Sequence, residues 1–183
     1  MTACEVRLSG AGGQGLILSA RILAEALATT GKTVAQSQGY EPTSRGGLSR
    51  ADLVIDDKVA DYPLVSELDY LVILDQCAVE ASKDMIREGA IVVADARDVT
   101  EPPTGPFRLV ALPLTETAAR LGSKRVANIV ALGALAGLSD ICERGILEDA
   151  VRARAPAALL DLNIEALDKG YELAAASGLA AAG

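Results

Sequence analysis

Three stretches of the chain bring together residues that could do chemistry. The first is Gly10-Ala11-Gly12-Gly13-Gln14-Gly15, set between an apolar strand pattern at residues 5–9 and an apolar, Ala-rich helix pattern at 16–28. A strand emptying through glycines into a helix leaves backbone N–H groups unshielded at the helix start, a ready site for an anion or phosphate. The second is the loop Ser44-Arg45-Gly46-Gly47, where a guanidinium beside two flexible residues can reach a phosphate or carboxylate. The third is Asn128, an amide in an otherwise apolar helix pattern with Lys124 and Arg125 a turn earlier. A buried Asn must find partners, so it either caps a loop or touches a ligand.

The spacing Gly10-x-Gly12-x-x-Gly15 also satisfies the dinucleotide fingerprint. That reading needs an acid at the end of the second strand for a ribose hydroxyl. Gln36-Ser37-Gln38 stands there, with no carboxylate before Glu41. The glycines equally suit a purely structural role, a tight turn with close helix–strand packing. Asp75 and Asp95 end apolar strand patterns, where open α/β sheets place ligands and where helix caps are also found.

What is absent narrows the function. There is no His, no G-x-S-x-G, no H-E-x-x-H and no P-loop lysine motif. No residue is assigned as catalytic or as a metal ligand. Cys4, Cys77 and Cys142 are scattered and without C-x-x-C spacing, which disfavours a zinc site, an in-chain iron–sulfur cluster and a disulfide framework. Net charge is −8, so general nucleic-acid binding is disfavoured. The first residues show no basic-then-apolar leader and no apolar run is long enough to span a membrane. A soluble, cytoplasmic protein is expected.

The elements that must position these residues follow from pattern. Strands are expected at 33–37, 51–56, 69–75, 90–95 and 107–112, with helices at 16–28, 78–88, 115–121, 123–137, 143–154 and 157–176. Residues 38–50 read as a polar loop and 177–183 as a frayed tail. With one Phe, four Tyr and no Trp, the core must be aliphatic. The alternation predicts one α/β, Rossmann-like domain over 1–183, with a mostly parallel sheet, helices on both faces and a helical C-terminal part.

Taken together, Leu8-Ser9-Gly10-Ala11-Gly12-Gly13-Gln14-Gly15-Leu16, the segment from Gln36 through Arg45-Gly46-Gly47 to Asp52, Asp61-Tyr62-Pro63 and Asn128-Ile129-Val130-Ala131-Leu132-Gly133-Ala134 carry a family likeness over nearly the whole length. The chain resembles the gamma subunit of the 2-oxoacid:ferredoxin oxidoreductases. The resemblance implies a subunit, noncatalytic by itself, of a complex that converts a 2-oxo acid and coenzyme A (CoA) to acyl-CoA and CO2. It implies thiamine diphosphate with Mg between alpha and beta subunits and [4Fe-4S] clusters in a ferredoxin-like delta subunit. The electron acceptor, ferredoxin or NAD, is then reached through other subunits. It also implies a role for this chain on the CoA side, and Gly12, Gly13, Gln14, Ser44, Arg45, Gly46 and Asn128 are assigned to that face. The wording Gly39-Tyr40-Glu41-Pro42 is most like the 2-oxoglutarate branch. Aromatic 2-oxo acids such as phenylglyoxylate or indolepyruvate also stay open. The alternatives are an independent nucleotide-binding protein or small reductase, and a purely structural assembly subunit.

Overall fold

In the computed structural model the described residues are 3–40, 46–58 and 63–179, with Tyr40 described in its backbone only. Six strands form one sheet in the order β2-β3-β1-β4-β5-β6. Strand β1 (Cys4–Ala11) sits at its centre, because its alternation suits burial on two sides. Val6 and Leu8 enter the larger apolar cluster, while Arg7, almost fully buried, points to the opposite face.

After β1 the chain makes α1 (Leu16–Thr29) and then the antiparallel pair β2 (Thr33–Tyr40) and β3 (Leu48–Asp56). Strand β3 returns antiparallel beside β1. On the other side β4 (Leu68–Ile73), β5 (Ile86–Asp95) and β6 (Arg108–Leu112) run parallel to β1 and to one another. The sheet is therefore mixed: the α/β class and the parallel majority are as expected, with an antiparallel wing added at the β2 edge. Strands β2 and β3 reach further than expected, β2 as far as Tyr40 and β3 from Leu48 on.

Two differences from pattern have identifiable causes. Residues 78–88 form no α-helix; the connection holds 3-10 turns at Gln76–Ala78 and Lys83–Met85 before β5 begins. The Ala81 carbonyl accepts from Arg7 Nη1 at 3.0 Å, and Met85 Sδ lies 3.3 Å from the same nitrogen, so the buried guanidinium takes an acceptor that a helix would use. The second difference is the distribution of helices. All five α-helices among the described residues contribute to the larger cluster on one face of the sheet. The other face, around Val54, Leu71, Ile73 and Val92, is covered by the 3-10 turns and connecting segments.

The C-terminal part is helical: α2 (Leu114–Arg120), α3 (Ala127–Leu138), α4 (Arg144–Arg154) and α5 (Leu160–Ala176). Apart from Gly137, every residue of α3 is buried, so it reads as apolar on all sides. Its closest neighbour is α5. A Cβ on Gly133 would stand 2.2 Å from the Leu167 carbonyl oxygen, and one on Gly170 2.2 Å from that of Val130. The small residues thus serve contact within this chain. Among the described residues no helix is long and apolar enough to cross a membrane.

Candidate functional site

The glycine turn lies at the carboxyl end of β1, next to the carboxyl ends of the parallel strands. Open α/β sheets bind ligands on that edge, where connections diverge to opposite sides of a strand. Here the chain leaves β1 toward β2 and β3 on one side, while β4 lies on the other.

Each glycine of the turn has a separate reason. A Cβ on Gly10 would fall 2.2 Å from Gln14 Oε1, so Gly10 makes room for the Gln14 side chain to fold back. That amide closes the turn: Ala11 N donates to Gln14 Oε1 at 2.7 Å, and Gln14 Nε2 donates to the Leu74 carbonyl at 3.3 Å. Gly12 N donates to the Gly47 carbonyl at 2.9 Å, joining the turn to the start of β3. Gly13 and Gly15 have φ of 91° and 76°, the left-handed region that L side chains disfavour. Gly15 also lies under Asn128, whose Nδ2 donates to the Gly15 carbonyl at 2.9 Å. Asn128 therefore caps the turn, while its Oδ1 is buried without a hydrogen-bond partner among the described residues. Among the described residues helix α1 starts with no side-chain cap on its first-turn amides.

The topology departs from the dinucleotide order. Beside β1 lie antiparallel β3 and parallel β4, and β2 is at the edge. Strand β4 leads to Asp75, whose Oδ1 accepts from Cys77 N at 2.9 Å and caps a 3-10 turn. Asp95, fully buried, accepts from Arg97 N at 2.9 Å, Asp98 N at 3.0 Å and Thr115 N at 2.6 Å. Both strand-end acids thus organise backbone.

Of the expected site residues, Gly12, Gly13 and Gln14 line one cleft of about 330 Å³. Gly46 is exposed with φ 70° and does not line the cleft, and Asn128, which caps the turn, is not in the cleft lining either. Ser44 and Arg45 fall outside the described residues. The cleft brings in Arg97, Asp98, Thr115, Lys124 and Arg125, which were not assigned from pattern. Lys124 and Arg125 had a signal, their place just before Asn128. Arg97 and Thr115 had none, since they meet only because Asp95 binds both backbones. Among the described residues no group of three or more His, Cys, Asp and Glu is placed to hold a metal ion.

The comparisons agree along the whole length. The family model "Pyruvate ferredoxin/flavodoxin oxidoreductase" matches residues 5–173. The chain is 40% identical over 174 residues to 2-oxoglutarate synthase subunit KorC of Methanocaldococcus jannaschii, covering 93% of each protein. The solved gamma subunit of a keto/oxoacid ferredoxin oxidoreductase from Geobacter sulfurreducens PCA superposes with a TM-score of 0.84 at 39% identity, over 94% of this chain and 99% of that one. A 2-oxoglutarate:ferredoxin oxidoreductase from Magnetococcus marinus, solved with 2-oxoglutarate, coenzyme A and succinyl-CoA bound, also gives 0.84, at 27% identity. There this chain covers 96% of itself and 32% of the longer partner. With the sheet order, the glycine turn and its Asn128 tie all in hand, the chain belongs to the pyruvate ferredoxin/flavodoxin oxidoreductase family, as a gamma-type subunit of an oxidoreductase complex.

Proposed function

We propose that this chain, as one domain over residues 1–183, is the gamma subunit of a cytoplasmic 2-oxoglutarate:ferredoxin-type oxidoreductase. In this reading it works beside alpha and beta subunits that hold thiamine diphosphate and Mg, and a delta subunit with [4Fe-4S] clusters. Ferredoxin or NAD takes the electrons through those other subunits. The carrying observation is the end-to-end likeness to a protein named as a 2-oxoglutarate synthase subunit, at 40% identity. That likeness favours 2-oxoglutarate over an aromatic 2-oxo acid such as phenylglyoxylate.

Within the complex this chain acts as scaffold and as one wall of the CoA side. The glycine turn supports that role, since it is internally braced yet presents Gly12, Gly13 and Gln14 to an open cleft. Gly12 N also joins the turn to the segment that carries Ser44, Arg45 and Gly46, which we assign to the same face. When bound, CoA supplies the thiol that accepts the acyl group. The part of this chain is to hold and orient the rest of that molecule.

Reconstitution of the complex with and without this chain tests the reading. With it, 2-oxoglutarate and CoA should give succinyl-CoA, and phenylglyoxylate should turn over poorly. Unchanged succinyl-CoA formation when the chain is omitted would overturn the subunit role. Arg45→Ala should raise KM for CoA more than it lowers kcat; an unchanged KM removes Arg45 from the site. Saturable NAD(P)H binding by the isolated chain would favour the independent nucleotide-binding alternative.

A further inference from the structure

The two edges of the sheet are built differently. Strand β6 ends it on one side and is only five residues long. Strand β2 ends it on the other with eight residues, Thr33–Tyr40, paired to β3 in unbroken register. Natural sheets guard such an edge with charges, proline, a bulge or a short strand. Here Thr33-Val34-Ala35-Gln36-Ser37-Gln38-Gly39-Tyr40 holds no charged residue and no proline. At about 3.3 Å per residue the edge is ~26 Å long, and every second residue turns its N–H and C=O outward.

The helix beside that edge carries both signs of charge. Arg21, Ala24 and Glu25 of α1 line a groove of about 520 Å³ together with Gln36 of β2 and Arg154 of α4. Arg21 and Glu25 stand one turn apart on the same side of the helix. Among the described residues Arg21 is exposed and makes no ion pair or hydrogen bond. Glu25 gives Oε2 to Arg154 Nε and keeps Oε1 open among the same residues. The groove therefore holds one uncommitted cation and one half-committed carboxylate, at the level of Gln36.

We propose that β2 is a self-pairing edge: a second copy of this chain adds antiparallel to it about a two-fold axis at Gln36, giving one continuous sheet across two protomers. An axis there sets Gln36 against its own copy, and a carboxamide both donates and accepts, so the two side chains satisfy each other. It also lays the two copies of α1 side by side in opposite directions, since α1 and β2 share the groove. Arg21 of each copy then faces Glu25 of the other, the self-complementarity that a two-fold interface requires. A partner segment of one sign would satisfy only one of these two charges, whereas a second copy satisfies both. The self-pairing goes beyond the subunit function proposed above and does not depend on it.

The test is sedimentation equilibrium of the full chain at rising concentration. A monomer–dimer equilibrium is expected, and hydrogen exchange at alternate amides of residues 33–39 should slow as the dimer fills. Arg21→Glu and Glu25→Arg should each weaken the dimer roughly tenfold or more, since each sets like charges against one another twice across the axis. Far-UV circular dichroism should show both variants folded. An equimolar mixture of the two should dimerise like the parent, because both contacts between the unlike copies are again opposite in sign. A chain that stays monomeric, a dimer indifferent to both variants, or a mixture that does not recover would each overturn the self-pairing. Slowed exchange at these amides only in the reconstituted complex, with the chain alone monomeric, would overturn it too and give the edge to a partner subunit.

Discussion

Asn128 and Gly15, 113 residues apart, share a hydrogen bond: the Asn128 amide donates to the Gly15 carbonyl at 2.9 Å. This joins the start of α3 to the start of α1, and a Cβ on Gly15 would come 2.6 Å from Asn128 Nδ2. The glycine at position 15 thus answers both a left-handed φ and a neighbour above it.

Gly15→Ala should therefore destabilise more than Gly13→Ala. The latter meets only the backbone penalty, about 1–2 kcal/mol for a left-handed L residue. Asn128→Asp should cost more than Asn128→Ala, because it sets a buried carboxylate against the Gly15 carbonyl. The alanine variant loses one hydrogen bond, about 1 kcal/mol. Urea unfolding of the four variants checks both orders.

Arg7 and Asp52 form a buried two-point ion pair, with Nε to Oδ1 at 2.7 Å and Nη2 to Oδ2 at 2.9 Å. Removing one charge strands the other; Arg50 Nε is 4.0 Å from Asp52 Oδ2 and a weak substitute. Arg7→Met should cost about 3–5 kcal/mol, and Arg7→Met/Asp52→Leu should cost less than either single change. A double-mutant cycle by chemical denaturation measures this. Far-UV circular dichroism on Arg7→Met should also change if residues 78–85 take the helix their sequence pattern suggests.

The α3–α5 contact depends on Gly133 and Gly170. Helix propensity alone favours Ala over Gly by about 1 kcal/mol. Gly133→Ala should nonetheless destabilise by about 1–3 kcal/mol, since its Cβ would drive into the Leu167 backbone. Gly145→Ala, in α4 with nothing within 4 Å, should be neutral or stabilising by up to about 1 kcal/mol. Thermal melts of the two variants separate packing from propensity.

Burial, with Asp69 nearby, pushes the Cys4 thiol up to about 12. The folded state keeps that proton where an unfolded chain, with a thiol of ordinary pKa, loses it. The resulting stabilisation is complete below about pH 9 and is lost as pH rises toward 12. Cys4→Ala should therefore lose less Tm than the parent between pH 8.5 and 11. Burial also pushes Tyr171 up to about 12, and that contribution is common to both proteins.

Local pattern and composition were enough for the α/β class, the aliphatic core, the strand–glycine–helix opening and the family likeness. These rest on period, turn chemistry and residue type, which act over a few residues. The ordered motifs at Gly10 to Gly15 and Asn128 to Ala134 could be read for the same reason. Tertiary structure decided the rest. It set the antiparallel β3 beside β1, because strand order depends on pairings far apart in the chain. It replaced an expected helix with 3-10 turns, because Arg7 reaches Ala81 from another strand. It turned Asn128 into a brace for the glycine turn. It also brought Arg97 and Thr115 to one cleft through the buried carboxylate of Asp95, beside Lys124 and Arg125. No spacing in the chain encodes the meeting of Arg97 and Thr115; it arises when the ends of β5 and β6 are brought side by side and one acid must satisfy the backbone of both.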